Sequence, residues 1–271
     1  MTGGADRLLR DLIHERTGLF FDNGKGDILT DKLSPLVVER GFTSLLDYYY
    51  LLKYDEAATR EWPRVMDALA VPETYFWREI DQVRAIVDVV VPALVASLRG
   101  APLRIWSVPC ASGEEPLTIA MMLDQAGWFA RAPIEIHASD ASPAQVERAR
   151  AGRYRERAFR ALPESLRERY FHRQGEAWVP DPGLASRVTT WSVVNLMSAE
   201  DVARLAVAPV IFCRNVFIYF SADRVRDVVA RFAASMPSPG FLCVAASESL
   251  LRVTDAFQLE EIGEAFVYVK R

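Results

Sequence analysis

Residues 104–123 run Arg-Ile-Trp-Ser-Val-Pro-Cys-Ala-Ser-Gly-Glu-Glu-Pro-Leu-Thr-Ile-Ala-Met-Met-Leu, and they carry the strongest fold signal in the chain. An apolar run of strand length leads into a turn of small residues and then into an amphipathic helix. This order is typical of the opening of a nucleotide-binding α/β fold, in which backbone N–H groups and a helix N-terminus face a ligand. The segment therefore predicts a ligand site beside the turn.

The turn itself has the wrong composition for a dinucleotide. Gly113 is its single glycine, and Glu114 and Glu115 stand where a pyrophosphate would dock. Two carboxylates suit a positively charged ligand without a phosphate, and the sulfonium and ammonium groups of S-adenosylmethionine fit that description. Acidic residues also favour the first turn of any helix through its dipole. The turn alone therefore leaves both interpretations open.

Composition narrows the class of protein. The chain has 271 residues, of which 51% are hydrophobic and 25% charged, and its formal net charge is −4. An acidic chain argues against a generic nucleic-acid binder, whose footprint would be basic. The apolar stretch Ile86–Leu98 is interrupted by charge and proline and is too short to span a membrane. No signal peptide is recognisable, and neither the 3 cysteines nor the 3 histidines have metal-ligand spacing. We expect reduced thiols, no metal site and a cytoplasmic location.

Helical spacing without a convincing strand predicts an N-terminal helical domain over residues 1–72. Its helices are expected at Asp6–Thr17, at Asp27–Arg40, after a cap at Ser44, and at Glu61–Leu69.

An α/β domain is predicted over residues 73–271, where strand-like runs alternate with helical patterns after a long helix at Ile80–Leu98. Such alternation favours a mainly parallel sheet. The strands are predicted at Leu103–Val108, Ile134–Ala138, Val188–Val193, Val210–Cys213, Phe241–Ala246 and Phe266–Lys270. Residues 152–190 interrupt the alternation, and we interpret them as an inserted subdomain with a helix and a small hairpin.

Asp140 ends the second predicted strand, where an α/β fold binds ribose hydroxyls. The alternative is that Asp140 or Ser142 caps the helix that starts at Pro143. Ser142 is the better cap, which favours a ligand role for Asp140.

Polar side chains in apolar surroundings give further candidates. Arg214, with Asn215, interrupts the buried run Val210–Phe220, so it is either functional or part of a buried ion pair, and Tyr219 follows it closely enough to line the same pocket. Thr74 and Arg78 would share a face of a helix between the two predicted domains. Asn195 follows a strand and could present an amide to an adenine edge.

Taken together, several segments resemble the chemoreceptor glutamate methyltransferases of bacterial chemotaxis. They are Pro72-Glu-Thr-Tyr-Phe-Trp-Arg-Glu79, Ile105-Trp-Ser-Val-Pro-Cys-Ala-Ser-Gly-Glu-Glu-Pro116, Ala138-Ser-Asp140, Val194-Asn-Leu196, Ile211-Phe-Cys-Arg-Asn-Val-Phe-Ile-Tyr-Phe220 and Ala246-Ser-Glu-Ser-Leu250. Their order and spacing match over almost the whole chain.

The resemblance implies a Rossmann-like class I methyltransferase domain with a small inserted β-subdomain, preceded by the all-helical domain. It implies transfer of a methyl group from S-adenosylmethionine to glutamate side chains of a chemoreceptor's cytoplasmic domain, leaving S-adenosylhomocysteine. We expect Arg78 and Tyr219 to serve the chemical step, where they could hold the acceptor carboxylate or the methionine end of the donor. The implied cofactor pocket comprises Thr74, Arg78, Glu115, Asp140, Asn195, Leu196, Arg214 and Tyr219.

Two departures from that family's pattern bear on the partner. The family's second helix is often strongly basic, whereas Asp27–Arg40 has mixed charge. The inserted region is short at Arg173–Glu176 and lacks the glycine-rich loop of members that bind a receptor's C-terminal tether peptide. We therefore expect recognition without a tether, and neither nucleic-acid binding nor membrane insertion.

Two other functions stay open on the residues alone. One is a nucleotide- or nicotinamide-binding enzyme, against which the missing glycines and the paired glutamates count. The other is a non-catalytic signalling module that binds S-adenosylmethionine with the same fold.

Overall fold

The computed structural model describes residues 3–22 and 26–271. Its first part, which we call the helical unit, comprises α1 (Gly3–Thr17), α2 (Gly26–Glu39), α3 (Leu45–Tyr54) and α4 (Ala58–Leu69). Aliphatic side chains at helical spacing, such as Ile13, Leu33 and Val65, pack into a core of their own. Ser44 accepts a hydrogen bond from the backbone N–H of Asp47, which confirms it as the cap of α3.

Residues 70–79, which follow the helical unit, contain no helix. The prediction that Thr74 and Arg78 share a helix face is therefore wrong. Tertiary hydrogen bonds hold this backbone instead: Phe76 N donates to Ala158 O at 2.9 Å, and Trp77 N donates to Thr118 Oγ1 at 3.2 Å. The boundary after residue 72 stays a prediction.

The sequence predicts one regular helix over Ile80–Leu98, and the structure corrects this. Helices α5 (Ile80–Ala85) and α6 (Val91–Ser97) are joined by a π-helical turn at Ile86–Val90. Pro92 gives the physical reason, because it has no N–H to donate and its ring crowds the carbonyl one turn earlier, so the preceding turn widens.

The rest of the chain builds a Rossmann-like α/β domain. Its elements are β1 (Leu103–Ser107), α7 (Glu114–Gln125), β2 (Ile134–Asp140), α8 (Pro143–Ala151), α9 (Glu164–Tyr170), β3 (Phe171–Gln174), β4 (Ala177–Pro180), α10 (Pro182–Ala185), β5 (Val188–Val193), α11 (Ala199–Leu205), β6 (Val210–Phe212), α12 (Ala222–Ser235), β7 (Gly240–Cys243), β8 (Gln258–Ile262) and β9 (Ala265–Lys270). A 7-stranded sheet has the order β5-β2-β1-β6-β7-β9-β8. Strands β5 to β7 of that order pair in parallel, whereas β9 and β8 run antiparallel at one edge. The inserted helix and hairpin are confirmed as α9 and the separate pair β3–β4.

Strands β6 and β7 end earlier than predicted, and β1 ends one residue early. Strand β6 stops at Phe212, and residues 213–220 form a loop with a 3-10 turn at Phe217–Tyr219 rather than an interrupted strand. Strand β7 stops at Cys243 because the next backbone N–H groups turn toward carboxylates, including that of Glu248. Strand β8 was not predicted, since an edge strand rich in glutamate lacks an apolar run. No helix among the described residues combines the length and apolarity needed to cross a bilayer.

Candidate functional site

One cleft lies between the helical unit and the carboxyl ends of β1, β2 and β6. The chain order of the sheet reverses between β1 and β6, and ligands of open α/β sheets bind at such a switch point. The cavity measures about 1160 Å³, counting the solvent at its open mouth. All of the predicted site residues line it: Thr74, Arg78, Glu115, Asp140, Asn195, Leu196, Arg214 and Tyr219. Their roles toward a ligand stay predictions.

Asp140 is a buried carboxylate at the end of β2, with 8% of its surface exposed. Its Oδ2 accepts the N–H of Ala111 and its Oδ1 accepts the N–H of Ser142, each at 2.9 Å. Burial raises the pKa of Asp140, and these backbone N–H groups oppose that rise. Ser142 caps α8 as predicted, accepting from Gln145 N. Because a carboxylate can accept about four hydrogen bonds, Asp140 keeps acceptor capacity for hydroxyl groups in the cavity.

Glu115 and Arg214 form a buried ion pair across the cleft floor. Arg214 Nε donates to Glu115 Oε2 at 2.6 Å, and the two side chains are 3% and 13% exposed. Ser107 Oγ donates to the other oxygen of Glu115 at 2.7 Å. Burial alone would lower the pKa of Arg214, but the Glu115 charge outweighs it and the pKa is raised. The ion-pair interpretation of Arg214 is thus realised, and Glu115 meets any ligand as a partly occupied acceptor.

The remaining donors of Arg214 fix the backbone beside the cleft. Its Nη1 donates to Glu79 O and its Nη2 donates to Arg78 O, both at 3.1 Å. The backbone there is unusual, since Trp77 and Glu79 have φ values of 72° and 45°. Arg214 therefore holds in place a segment whose conformation few residues adopt unaided.

Arg78 and Tyr219 approach the cavity from two different loops. Arg78 Nη1 donates to the carbonyl of Glu73 at 2.9 Å, and its guanidinium lies 5.6 Å from the ring centroid of Tyr75. Tyr219 closes the 3-10 turn that follows β6. A guanidinium and a phenol are suitable donors for a carboxylate that enters the cleft.

The helical unit supplies the other wall of the cleft. Leu19 forms a β-bridge with Phe220, and Phe20 N donates to Tyr219 O at 2.8 Å. Gly18 permits this approach: its φ is +79°, and an added Cβ would lie 2.9 Å from the ring of Phe220. Asn195 Nδ2 donates to Arg16 O at 2.7 Å. Asn195 thus serves the contact between the two parts of the chain, whatever it also does toward a ligand.

Asp67 makes a second contact across the cleft. Its Oδ1 accepts from Ser142 Oγ at 2.5 Å and from Ala144 N at 3.0 Å, at the N-terminus of α8. A carboxylate is favourable there because the first N–H groups of a helix lack intrahelical partners. Helix α4, which carries Asp67, also contributes Met66 and Leu69 to the cavity lining.

Sequence reasoning missed this helical wall. Thr17, Leu19, Met66 and Leu69 line the cavity, yet each fits the apolar or small-polar pattern of an ordinary helix. No local signal separates such residues from core positions, because their role depends on how the helical unit docks.

The residues fit S-adenosylmethionine. Asp140 offers acceptors for ribose hydroxyls, and a base can lie among apolar side chains such as Val108, Leu196 and Phe220. Thr74 and Arg78, which also line the cavity, offer donors for a carboxylate. The turn after β1 faces the cavity through Pro109 and Ala111, whereas its glycine, Gly113, packs against Trp191 and the hydroxyl of Tyr154.

Family models match both parts of the chain. Residues 72–266 match the model described as "CheR methyltransferase, SAM binding domain", and residues 6–70 match "CheR methyltransferase, all-alpha domain".

Named relatives are similar over nearly the full length. "Chemotaxis protein methyltransferase 2" of Vibrio cholerae is 31% identical over 262 residues, covering 96% of this chain and 91% of the relative. "Chemotaxis protein methyltransferase 1" of Pseudomonas aeruginosa is 30% identical over 268 residues, covering 96% of each. "Probable biofilm formation methyltransferase WspC" of Pseudomonas putida is 29% identical over 259 residues, covering 95% of this chain and 60% of the relative.

Proposed function

The chain belongs to the CheR methyltransferase family, and we propose that it transfers methyl groups from S-adenosylmethionine to glutamate side chains of a chemoreceptor. The family and the named relatives assign it to S-adenosylmethionine-dependent methylation in chemotaxis signalling. The glutamate acceptor is the further step. One observation carries it: Arg78 and Tyr219, whose side chains can donate hydrogen bonds to a carboxylate, line the same cavity as Asp140.

The reaction needs little acid or base catalysis from the protein. A glutamate side chain is ionised at neutral pH, so its oxygen can attack without a general base. S-adenosylmethionine, when bound, supplies an electrophilic methyl group whose leaving sulfur departs as a neutral thioether. The protein's task is therefore to align two oppositely charged reactants and to exclude water from between them.

The site residues divide this task. Asp140 would hold ribose hydroxyls, and Asn195, Leu196 and the apolar wall would enclose the base. Thr74 would offer a hydroxyl to the methionine part of the ligand. Arg78 and Tyr219 orient a carboxylate at the mouth, and they are the proposed catalytic residues.

The ion pair of Glu115 and Arg214 keeps this arrangement rigid, because Arg214 binds the backbone carbonyls of Arg78 and Glu79. Rigid positioning of the residues around the reactants matters, since small misplacements of reacting groups lower the rate by large factors. We include both residues in the cofactor pocket, with Arg214 acting largely through its neighbours.

The proposed partner is the cytoplasmic domain of a chemoreceptor, and the proposed location is the cytoplasm. The helical unit, together with the cleft it shares with the α/β domain, is the proposed contact surface. We place the boundary between the two domains after residue 72.

Transfer of label tests the proposal. The protein is incubated with methyl-tritiated S-adenosylmethionine and candidate receptor cytoplasmic domains, and alkali-released volatile label is counted because carboxyl methyl esters hydrolyse in base. Label on receptor glutamates, located by mass spectrometry, is the expected result. Tight binding of the donor with no label on any receptor would instead identify a non-catalytic module.

A further inference from the structure

The turn after β7 holds two separate parts of the cleft. Within this 245–248 turn, the carboxylate of Glu248 accepts N–H groups from Asn215 and Ala245 at 2.9 Å each, and from Ile218 at 3.3 Å. Glu248 is only 7% exposed. It is not among the residues that line the cavity, but it bonds to the loop that carries Tyr219.

The loop after β6 depends on such an acceptor. Residues 213–220 have left the sheet, Asn215 has a φ of 61°, and a 3-10 turn follows at Phe217–Tyr219. The first N–H groups of a helical turn have no partner within it, and buried unpaired N–H groups are costly. Glu248 supplies the missing acceptor from another element. Glu248 therefore helps to set the position of Tyr219 from the α/β domain, whereas the bond from Phe20 N to Tyr219 O holds it from the helical unit.

The same turn also holds the opposite loop. Ala246 N donates to Glu79 Oε2 at 3.2 Å, and the carbonyls of Arg78 and Glu79 accept from Arg214. Arg78 and Tyr219 come from distant parts of the chain. The 245–248 turn thus holds the loops that carry both of them. Loss of the Glu248 carboxylate would release the Tyr219 side of this arrangement and leave the Arg78 side in place.

We propose that Glu248 is a positioning residue for methyl transfer, because its carboxylate fixes the loop that presents Tyr219 opposite Arg78. The inference rests on the proposed function for the reaction that it serves. The hydrogen bonds themselves do not depend on that function, so the loop can be examined separately from the transfer of methyl groups.

The test compares Glu248→Gln with the wild-type protein. The glutamine has nearly the same shape, but its amide nitrogen donates toward backbone N–H groups and so breaks part of the network. Glu248→Asp, which keeps the charge on a shorter stem, is the second variant if the first does not fold. Val229→Ala, at a fully buried position of α12 in the same core, is the control for a general loss of stability.

Three quantities are measured for each variant: amide hydrogen exchange in residues 213–220, kcat and KM for S-adenosylmethionine with an unmethylated receptor domain as acceptor, and the melting temperature. We expect Glu248→Gln to raise exchange in this loop at least tenfold and to lower kcat at least tenfold. KM should change less than about threefold, because Asp140 and Asn195 lie on other elements. Val229→Ala should lower the melting temperature without this kinetic split.

Unchanged exchange in the loop, or a kcat loss no larger than that of the control at equal melting temperature, would overturn the positioning role. Absence of transfer by the wild-type protein to every receptor would instead contradict the proposed function. The two failures are therefore distinguishable.

Discussion

At the scale of single residues, the charged groups of the cleft mostly bind one another or the backbone. Each nitrogen of the Arg214 guanidinium donates to Glu115 or to a backbone carbonyl, and Asp140 accepts two backbone N–H groups before any ligand arrives. Arg78 differs, since the only hydrogen bond of its side chain among the described contacts is one from Nη1 to Glu73 O. Arg78 is therefore the cation in the cleft with the most donors left for a carboxylate.

Arg78→Ala should lower methyl transfer at least tenfold, which corresponds to about 1.4 kcal/mol in the activation barrier. The melting temperature of this variant should change little, because the contacts of the Arg78 side chain are partly exposed to solvent. Arg84→Ala is the matched control: Arg84 also lies over an aromatic ring, that of Trp77, and pairs with Asp81, but it is outside the cleft. Equal loss of activity in both variants, or activity loss in proportion to lost stability, would contradict a chemical role.

Glu114 should make stability depend on pH. Burial raises its pKa from 4.5 to about 7, opposed by the hydroxyl of Ser112. The unfolded chain releases this proton near pH 4.5 and the folded protein only near pH 7, so the free energy of unfolding falls as pH rises between them. Glu114→Gln should remove this slope, gaining up to about 3 kcal/mol relative to wild type across that window. Denaturant unfolding at several pH values measures the difference, and parallel curves would refute it.

Where polarity stood out against its surroundings, the sequence pointed to residues that line the cavity. Asp140 after an apolar strand and Arg214 inside an apolar run are such positions. Glu248 belonged to a recognised motif, but its role stayed hidden because two of its partners, the N–H groups of Asn215 and Ile218, are 33 and 30 residues away in the chain. Hydrogen bonds to backbone leave no pattern in the sequence of the partner.

At the scale of elements, the C-terminal ends of α4 and α1 matter most, because both contact the α/β domain beside the cleft. Helix α4 reaches across to α8 through the carboxylate of Asp67, whereas α1 continues into the bridge between Leu19 and Phe220. Both contacts bring walls of the cavity together. A change that weakens either contact should therefore lower ligand affinity as well as the stability of the protein.

Asp67→Ala should lower the free energy of unfolding by about 1–2 kcal/mol, since it removes a carboxylate from the N-terminus of α8. It should also weaken binding of S-adenosylhomocysteine several-fold, because Met66 and Leu69 on the same helix line the cavity. Calorimetric titration and denaturant unfolding give the two values.

The control is Asp55→Ala, which removes a comparable carboxylate that accepts from Ala57 N within the helical unit. This variant should lower the free energy of unfolding without weakening the binding of S-adenosylhomocysteine. Equal affinities for the two variants would show that the contact of α4 with α8 does not shape the cavity.

Strands rich in apolar residues were predicted with nearly correct bounds, as at β1 and β9. Errors fell where tertiary contacts override local preference. The π-helical turn depends on Pro92 within an otherwise regular apolar helix, and β7 is shortened by acceptors that other segments supply. The helical wall of the cavity shows the same limit, since docking depends on contacts such as Asp67 with Ser142, 75 residues apart.

At the scale of the whole molecule, we expect partner recognition to differ from that of family members that bind a receptor's tether. We predict that methylation does not need the receptor's C-terminal residues, because the inserted hairpin β3–β4 is joined by a short turn and offers no glycine-rich edge. Salt dependence should be modest, given the mixed charge of α2. Methylation of a receptor with and without its last residues, and titration of the free tail peptide, test both statements. Micromolar peptide binding, or activity lost on tail removal, would contradict them.

The central claim is that the cleft between the helical unit and the sheet is a single pocket for S-adenosylmethionine. Calorimetric titration of the purified protein with S-adenosylmethionine, S-adenosylhomocysteine and NAD tests it most directly. The account predicts one site for each of the first two ligands, competition between them, and no heat of binding with NAD. Binding of NAD with no binding of either sulfur compound would contradict it.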